Sequence, residues 1–156
     1  MQQDKWDRRF LLLAQHIAGW SKDPSTKVGA VLVQDGNRIV GLGFNGFARG
    51  VYDTEERYAE REMKYKLVVH AEINAIIMAG PQAKGATLYV WPAFAIPPIC
   101  VDCAKVAIQA GVREVVGYEA DPNEPRAQRW AESIALSKQM FDEANVGYRG
   151  IKPATE

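Results

Sequence analysis

The sequence predicts an α/β fold: a layered α/β/α sandwich in a single domain over residues 1–156, with a central mixed sheet of about five strands and helices on both faces. Three observations carry that expectation. Apolar side chains near the start of the chain recur at helical spacing. Two strand-like runs then flank a turn signal. From His70 onward, helix-like and strand-like segments alternate to the end of the chain.

Each element has its own signal. Trp6, Phe10, Leu13, Ile17 and Trp20 recur at spacings of three and four, an amphipathic helix that Asp23-Pro24-Ser25 ends. Val28 to Gln34 and Arg38 to Phe44 read as strands, and Asp35-Gly36-Asn37 between them is a hairpin signal. Residues 45–67 are polar, mixed in charge and weakly periodic, which predicts a long loop with one short helix at most. The run from His70 through Ala79 is helical and stops at Gly80-Pro81, a strong pair of breakers. Thr87 to Trp91 is a third strand. Cys100 to Ala110 is a helix ended by Gly111, and Glu114 to Tyr118 is a fourth strand. Asp121 to Pro125 makes a turn, Arg126 to Ala144 a last helix, and Val146 to Ile151 a fifth strand.

Composition narrows the function. A chain of 156 residues buries roughly two-thirds of its unfolded surface, enough for a real core. Nineteen basic side chains balance nineteen acidic ones, and the isoelectric point is about 6.7, so charge alone does not draw the protein onto nucleic acid. No apolar run approaches the roughly 20 residues of a membrane span. The first residues carry no apolar leader core, which predicts a cytoplasmic protein. There is no internal repeat or low-complexity tract. The two cysteines, Cys100 and Cys103, are spaced C-x-x-C, which points to metal or redox chemistry rather than a disulfide scaffold.

The chemistry-bearing residues gather in two places. His70-Ala71-Glu72 opens one helix and Cys100-Val101-Asp102-Cys103 opens another. One histidine and two cysteines make the ligand number of a catalytic zinc that keeps its fourth position for water. Helix N-termini favour thiolate over thiol, which suits both sets. Glu72, two residues from the histidine, can reach water at that open position. A redox dithiol leaves His70 and Glu72 without a role. A closed structural zinc needs a fourth ligand, and the other histidine, His16, belongs to the first helix. A carboxylate could complete such a closed site, and a zinc-stabilised binding module without catalysis would carry the same ligands.

The pattern H-x-E followed by P-C-x-x-C marks zinc deaminases that act on nucleobases. The chain resembles that cytidine/deoxycytidylate deaminase superfamily, and most of all its deoxycytidylate (dCMP) deaminases, from about Trp6 to Gly147. The residues that carry the resemblance begin with Ser21-Lys22-Asp23-Pro24-Ser25-Thr26-Lys27-Val28-Gly29-Ala30 and Gly43-Phe44-Asn45-Gly46-Phe47. Lys64-Tyr65 and His70-Ala71-Glu72-Ile73-Asn74-Ala75-Ile76 follow, then Leu88-Tyr89-Val90, Cys100-Val101-Asp102-Cys103-Ala104-Lys105 and Ile108-Gln109-Ala110-Gly111-Val112. The resemblance implies a cytidine deaminase-like fold and hydrolytic deamination of dCMP to dUMP with loss of ammonia. It implies one Zn²⁺ per chain held by His70, Cys100 and Cys103, with Glu72 as the proton carrier. It also implies a homo-oligomer, hexamer favoured over dimer, and dCTP and dTTP as effectors.

Substrate contacts follow from the same resemblance and from what a nucleotide needs. Asn45 is expected to hydrogen-bond the sugar 3′-hydroxyl, with Ala71 and Asn74 in the same pocket. Lys27 is the first candidate for the phosphate. Tyr65, Trp91 and Tyr118 are candidates for stacking on the base, although aromatic side chains at such positions more often belong to a core. Arg57, Arg61, Lys64 and Lys66 interleave with Glu55, Glu56, Glu60 and Glu62, which reads as a solvated mixed-charge face. Two departures from the family pattern stand out. Ile99 intervenes between Pro98 and Cys100, and the link Trp91 to Pro98 is several residues longer than usual. These leave the base and its C5 substituent open, and with them a nucleoside or free base (cytidine, guanine) and, against the charge balance, an editing substrate.

Overall fold

The structure, a computed structural model, describes residues 2–153. Helix α1 (Gln2–Ala18) leads into the hairpin β1 (Gly29–Gln34) and β2 (Arg38–Phe44). The next stretch holds β3 (Gly46–Phe47), α2 (Glu55–Ala59), α3 (Arg61–Leu67) and β4 (Val68–Val69). Helix α4 (Ala71–Ala79) runs into a 3₁₀ turn at Gly80–Ala83. Then come β5 (Thr87–Trp91), α5 (Val101–Ala110), β6 (Glu114–Tyr118), α6 (Pro125–Arg129), α7 (Ala131–Ala144) and β7 (Gly147–Ile151).

The five-stranded sheet has the order β2-β1-β5-β6-β7. Strand β1 lies antiparallel to both β2 and β5, while β5, β6 and β7 run parallel, so the sheet is mixed. Side chains alternate between its two faces. Ala30, Leu32, Leu88, Val90 and Val115 join the core beneath α4, α5 and Phe141 of α7. Val31, Val33, Tyr89 and Val116 point the other way, onto Phe10, Leu11, Ala14 and Ile17 of α1. Strand β1 is therefore buried on both faces and reads as a continuous apolar run, Gly29 to Val33.

Two glycines set how close α4 comes to the sheet. A Cβ on Gly41 would stand 2.3 Å from the Ala75 carbonyl oxygen, and one on Gly43 the same distance from that of Ala71. Only glycine lets the backbone of β2 meet the backbone of α4 in this way. On the opposite face a buried polar network ties α1 to three strands. Asp7, fully buried, accepts from Tyr89 Oη at 2.6 Å and from both Nη atoms of Arg149 at 2.9 and 3.2 Å. Arg149 also donates to both carboxylate oxygens of Glu114, at 3.0 and 3.1 Å.

Two expectations are corrected. Residues 45–67 are more ordered than a loop with one short helix: α2 starts at the N-cap Thr54, whose hydroxyl accepts from the Arg57 amide, and α3 follows directly. The β3–β4 pair then closes that segment on itself. The last helix is not continuous from Arg126 to Ala144 but breaks at Trp130, whose φ of −99° and ψ of 6° leave the helical region. The indole at the break stands edge-on to Tyr65, with ring centroids 6.4 Å apart, so a tertiary contact accompanies the kink.

Candidate active site

Two helix starts converge at the site. His70 is the N-cap of α4 and Cys100 the N-cap of α5, both with extended backbone, and Cys103 lies in the first turn of α5. Neither N-cap side chain caps its own helix. They turn toward each other instead: His70 Nδ1 is 3.1 Å from Cys103 Sγ and 3.5 Å from Cys100 Sγ. Among the described residues, the three form a cluster whose ligand atoms all lie within 4.8 Å of one another. A tetrahedral zinc with ordinary Zn–N and Zn–S bonds separates such N and S ligands by about 3.5 Å. The donor set and its spacing therefore fit zinc.

The charges of the cluster are strongly perturbed. The hydrogen bond from the Cys103 thiol, with His70 adding to it against the effect of burial, pulls the Cys100 thiol down to about 4. The same Cys100 sulfur raises His70 to about 9, while the Cys103 thiol is pushed well up by its bond to Cys100 and by burial. Imidazole and thiols thus face each other where a divalent cation can displace the protons they share. Glu72 is 6% exposed, and burial raises its carboxyl above the ordinary carboxylate value. A carboxyl shifted toward neutrality is better matched to giving and taking protons.

These groups open onto a cavity beside the metal cluster. His70, Ala71, Glu72 and Cys100 line it together with Val28, Thr26 and Asn45 from the start of β1 and the end of β2. The long link after β5 contributes Pro92, Phe94, Ala95, Pro98 and Ile99, and Asp23, Lys64, Tyr65, Arg126, Arg129 and Trp130 are also in the lining.

The structure brings some of the expected substrate residues together and not others. Asn45, Ala71 and Tyr65 line the cavity. The Asn45 amide also ties two segments, accepting from the Val28 amide and donating to the Thr26 carbonyl, both at 2.9 Å. Each end of that amide keeps one further hydrogen-bonding position. Lys27 lies outside the lining, and its ammonium donates to the Ser21 carbonyl. Asn74 is outside it too, donating to the Phe44 carbonyl at 2.9 Å. Tyr118 packs on the α1 face of the sheet, away from the metal cluster, as does Trp91.

The lining also holds residues to which the sequence gives no place in the site: Lys64, part of the family pattern but read as part of a solvated face, and Arg126 and Arg129. Lys64 stands in a run of alternating charges, yet α3 turns it inward: it is 7% exposed, 3.3 Å from Asp23 and 2.7 Å from Ser25 Oγ. Asp23 also accepts from the Ser25 and Thr26 amides, which hold its carboxyl below the ordinary value although burial alone would raise it. Arg126 and Arg129, three apart on one helix, were a signal of a shared face that the sequence offered.

Comparison with known proteins agrees with this geometry. Residues 4–119 match the model of the family described as "Cytidine and deoxycytidylate deaminase zinc-binding region". The chain is 42% identical over 144 residues to an "Uncharacterized deaminase in luxG 3'region" of Aliivibrio fischeri, covering 91% of this chain and 90% of that protein. It is 37% identical over 155 residues to the deoxycytidylate deaminase of Mus musculus, covering 96% and 81%. The fold is shared with the crystal structure of the dCMP deaminase from the cyanophage S-TIM5 in complex with dCMP and dUMP. That likeness has a TM-score of 0.67 at 23% identity, over 92% of this chain and 94% of the other.

Proposed function

The chain belongs to the cytidine and deoxycytidylate deaminase zinc-binding family, and on that premise we propose that it hydrolyses dCMP to dUMP and ammonia, with His70, Cys100 and Cys103 holding the zinc. The observation that carries this reading is the position of Glu72. It is buried in the lining of the cavity, two residues from the histidine of an N-S-S cluster, and it shares that cavity with Asn45. When bound, zinc supplies a water acidified toward neutral pH and fixed at the reaction centre.

The chain's own residues supply the rest. Glu72 accepts the proton of the attacking water and hands it to N3 of the cytosine ring, so that C4 can take the hydroxyl. Glu72 then takes the proton of that C4 hydroxyl and delivers it to the amino group, so that the C4–N bond breaks, a C4 carbonyl forms and ammonia leaves. Burial serves these transfers, because a carboxylate with its proton affinity raised above the ordinary value is a stronger base toward the water, nearer in strength to the groups it exchanges with. Asn45 uses the free positions of its amide for the sugar hydroxyl, and Tyr65 flanks the base. Ammonia release from dCMP, deoxycytidine, cytosine and guanine tests the assignment. dCMP should turn over fastest, and faster turnover of an unphosphorylated compound would overturn it.

No described helix is long and apolar enough to cross a membrane, and both cysteines are free thiols. A reduced N-S-S site and a nucleotide substrate support a cytoplasmic location. The outer face of α4 exposes Ile77 (69%) and Met78 (64%), which supports a homo-oligomer; the expectation of a hexamer ahead of a dimer rests on the family resemblance alone.

A further inference from the structure

We propose that Arg129, seconded by Arg126, binds the phosphate of the nucleotide and so sets the preference for a nucleotide over its nucleoside; this rests on the deaminase reading of the pocket. A phosphate monoester needs positively charged N–H donors, and guanidinium groups match its geometry. The cavity is lined by three cationic side chains, Lys64, Arg126 and Arg129. Lys64 is spent within the fold, with Asp23 at 3.3 Å and Ser25 Oγ at 2.7 Å. Arg126 commits only its Nε, to Glu124 at 3.0 Å, and lies 4.3 Å from the centroid of the Phe94 ring, while its two Nη groups have no hydrogen bond among the described residues. Arg129 is exposed and has neither ion pair nor side-chain hydrogen bond among the described residues.

The two arginines stand three residues apart on α6, so they share a helix face, and that face borders the cavity. The helix is fixed at both ends. Pro125 starts it behind the N-cap Glu124, and Trp130 ends it against Tyr65. Arg126 is paired with Glu124, but no acidic lining residue cancels the charge of Arg129, since Asp23 is paired with Lys64 and Glu72 lies buried beside the metal cluster. A dianion at the mouth therefore meets a surplus of positive charge beside the apolar wall of Phe94, where screening by water is reduced.

The test compares Arg129→Ala and Arg129→Lys with the wild type in two measurements. One is kcat/KM for dCMP relative to deoxycytidine; the other is calorimetric binding of dUMP relative to deoxyuridine, which needs no turnover. Loss of a charged hydrogen bond costs about 1.5–3 kcal/mol, so both ratios should fall roughly 10–100-fold in Arg129→Ala and recover in part in Arg129→Lys. An equal loss for nucleotide and nucleoside, or an unchanged dUMP affinity, would overturn the proposal. If the wild type deaminates deoxycytidine as well as dCMP, the phosphate assignment fails and the deaminase reading survives. Arg129-dependent dUMP binding with no ammonia from any cytosine compound would uphold the phosphate site and overturn the deaminase reading.

Discussion

The backbone of Gly43 runs under the first turn of α4 so closely that a Cβ there would stand 2.3 Å from the carbonyl oxygen of Ala71. Ala71 sits between His70 and Glu72, so this contact fixes where the metal ligand and the proton carrier stand relative to the sheet. Gly43 is paired with Ala30 of β1 and is held from both sides.

Gly43→Ala should therefore act on both stability and chemistry. Overpacking of this kind costs about 1–3 kcal/mol. The backbone atoms of Ala71 and Ala75 that it meets cannot swing aside as a side chain could. Urea denaturation should show that loss, with kcat reduced because α4 moves off its seat. Wild-type stability and rate in the variant would show that the helix has room to shift.

Metal content checks the ligand set. Purified protein should hold one zinc per chain, and His70→Ala or the pair Cys100→Ala, Cys103→Ala should abolish it. Thermal stability should fall along with the metal, because binding free energy to the folded chain is folding free energy. Stoichiometric zinc in the double cysteine variant would place the site elsewhere.

Glu72→Gln should keep zinc and fold but lose kcat heavily. A single general acid–base contribution is about 10²–10⁴-fold, and here the group acts twice. Retention of more than about a tenth of the rate would mean that another group carries the protons.

Much of this was legible in the sequence because the signals were local. His70 and Gly80-Pro81 bracket α4, and Gly111 ends α5 in the left-handed conformation that favours glycine. What stayed hidden depends on tertiary contact. Nothing in the residues around Trp130 breaks a helix; neither glycine nor proline stands there. Lys64 looked solvated because its neighbours in sequence are charged, while its partners, Asp23 and Ser25, lie 41 and 39 residues away. Tyr118 was a matter of parity: it shares the α1 face with Val116, whereas Leu88 and Val90 face the helices of the site.

Acid should unfold the protein through Asp7. Burial alone would raise its carboxyl, but the hydrogen bonds from Arg149, Tyr89 and Gln3 outweigh that and hold it below its ordinary value of 3.8. A carboxylate depressed in the folded state stabilises the fold above its unfolded value, and that contribution is lost as pH falls through the depressed one. Stability measured by denaturant should thus decline below about pH 4 more steeply in the wild type than in Asp7→Asn. Asp7→Asn should also be less stable at neutral pH, since it leaves Arg149 short of one partner. Parallel acid profiles would show that other carboxylates dominate.

Assembly can be read from the outer face of α4. Ala71, Ala75, Ile76 and Ala79 are buried against the sheet, while Ile77 and Met78 on the other side are 69% and 64% exposed. A helix apolar all round is buried on more than one side. Helix α7 does not provide the second cover: it packs on α5 and β7. Two large side chains left in water cost roughly 1.5–3 kcal/mol each relative to burial, which favours a second copy of the chain across that face. Light scattering at micromolar concentration should therefore give a multiple of the 17.3 kDa chain mass. Ile77→Lys with Met78→Lys should lower that mass while leaving the zinc content of each chain intact. A single 17.3 kDa species with full activity would show that the α4 face stays open to solvent.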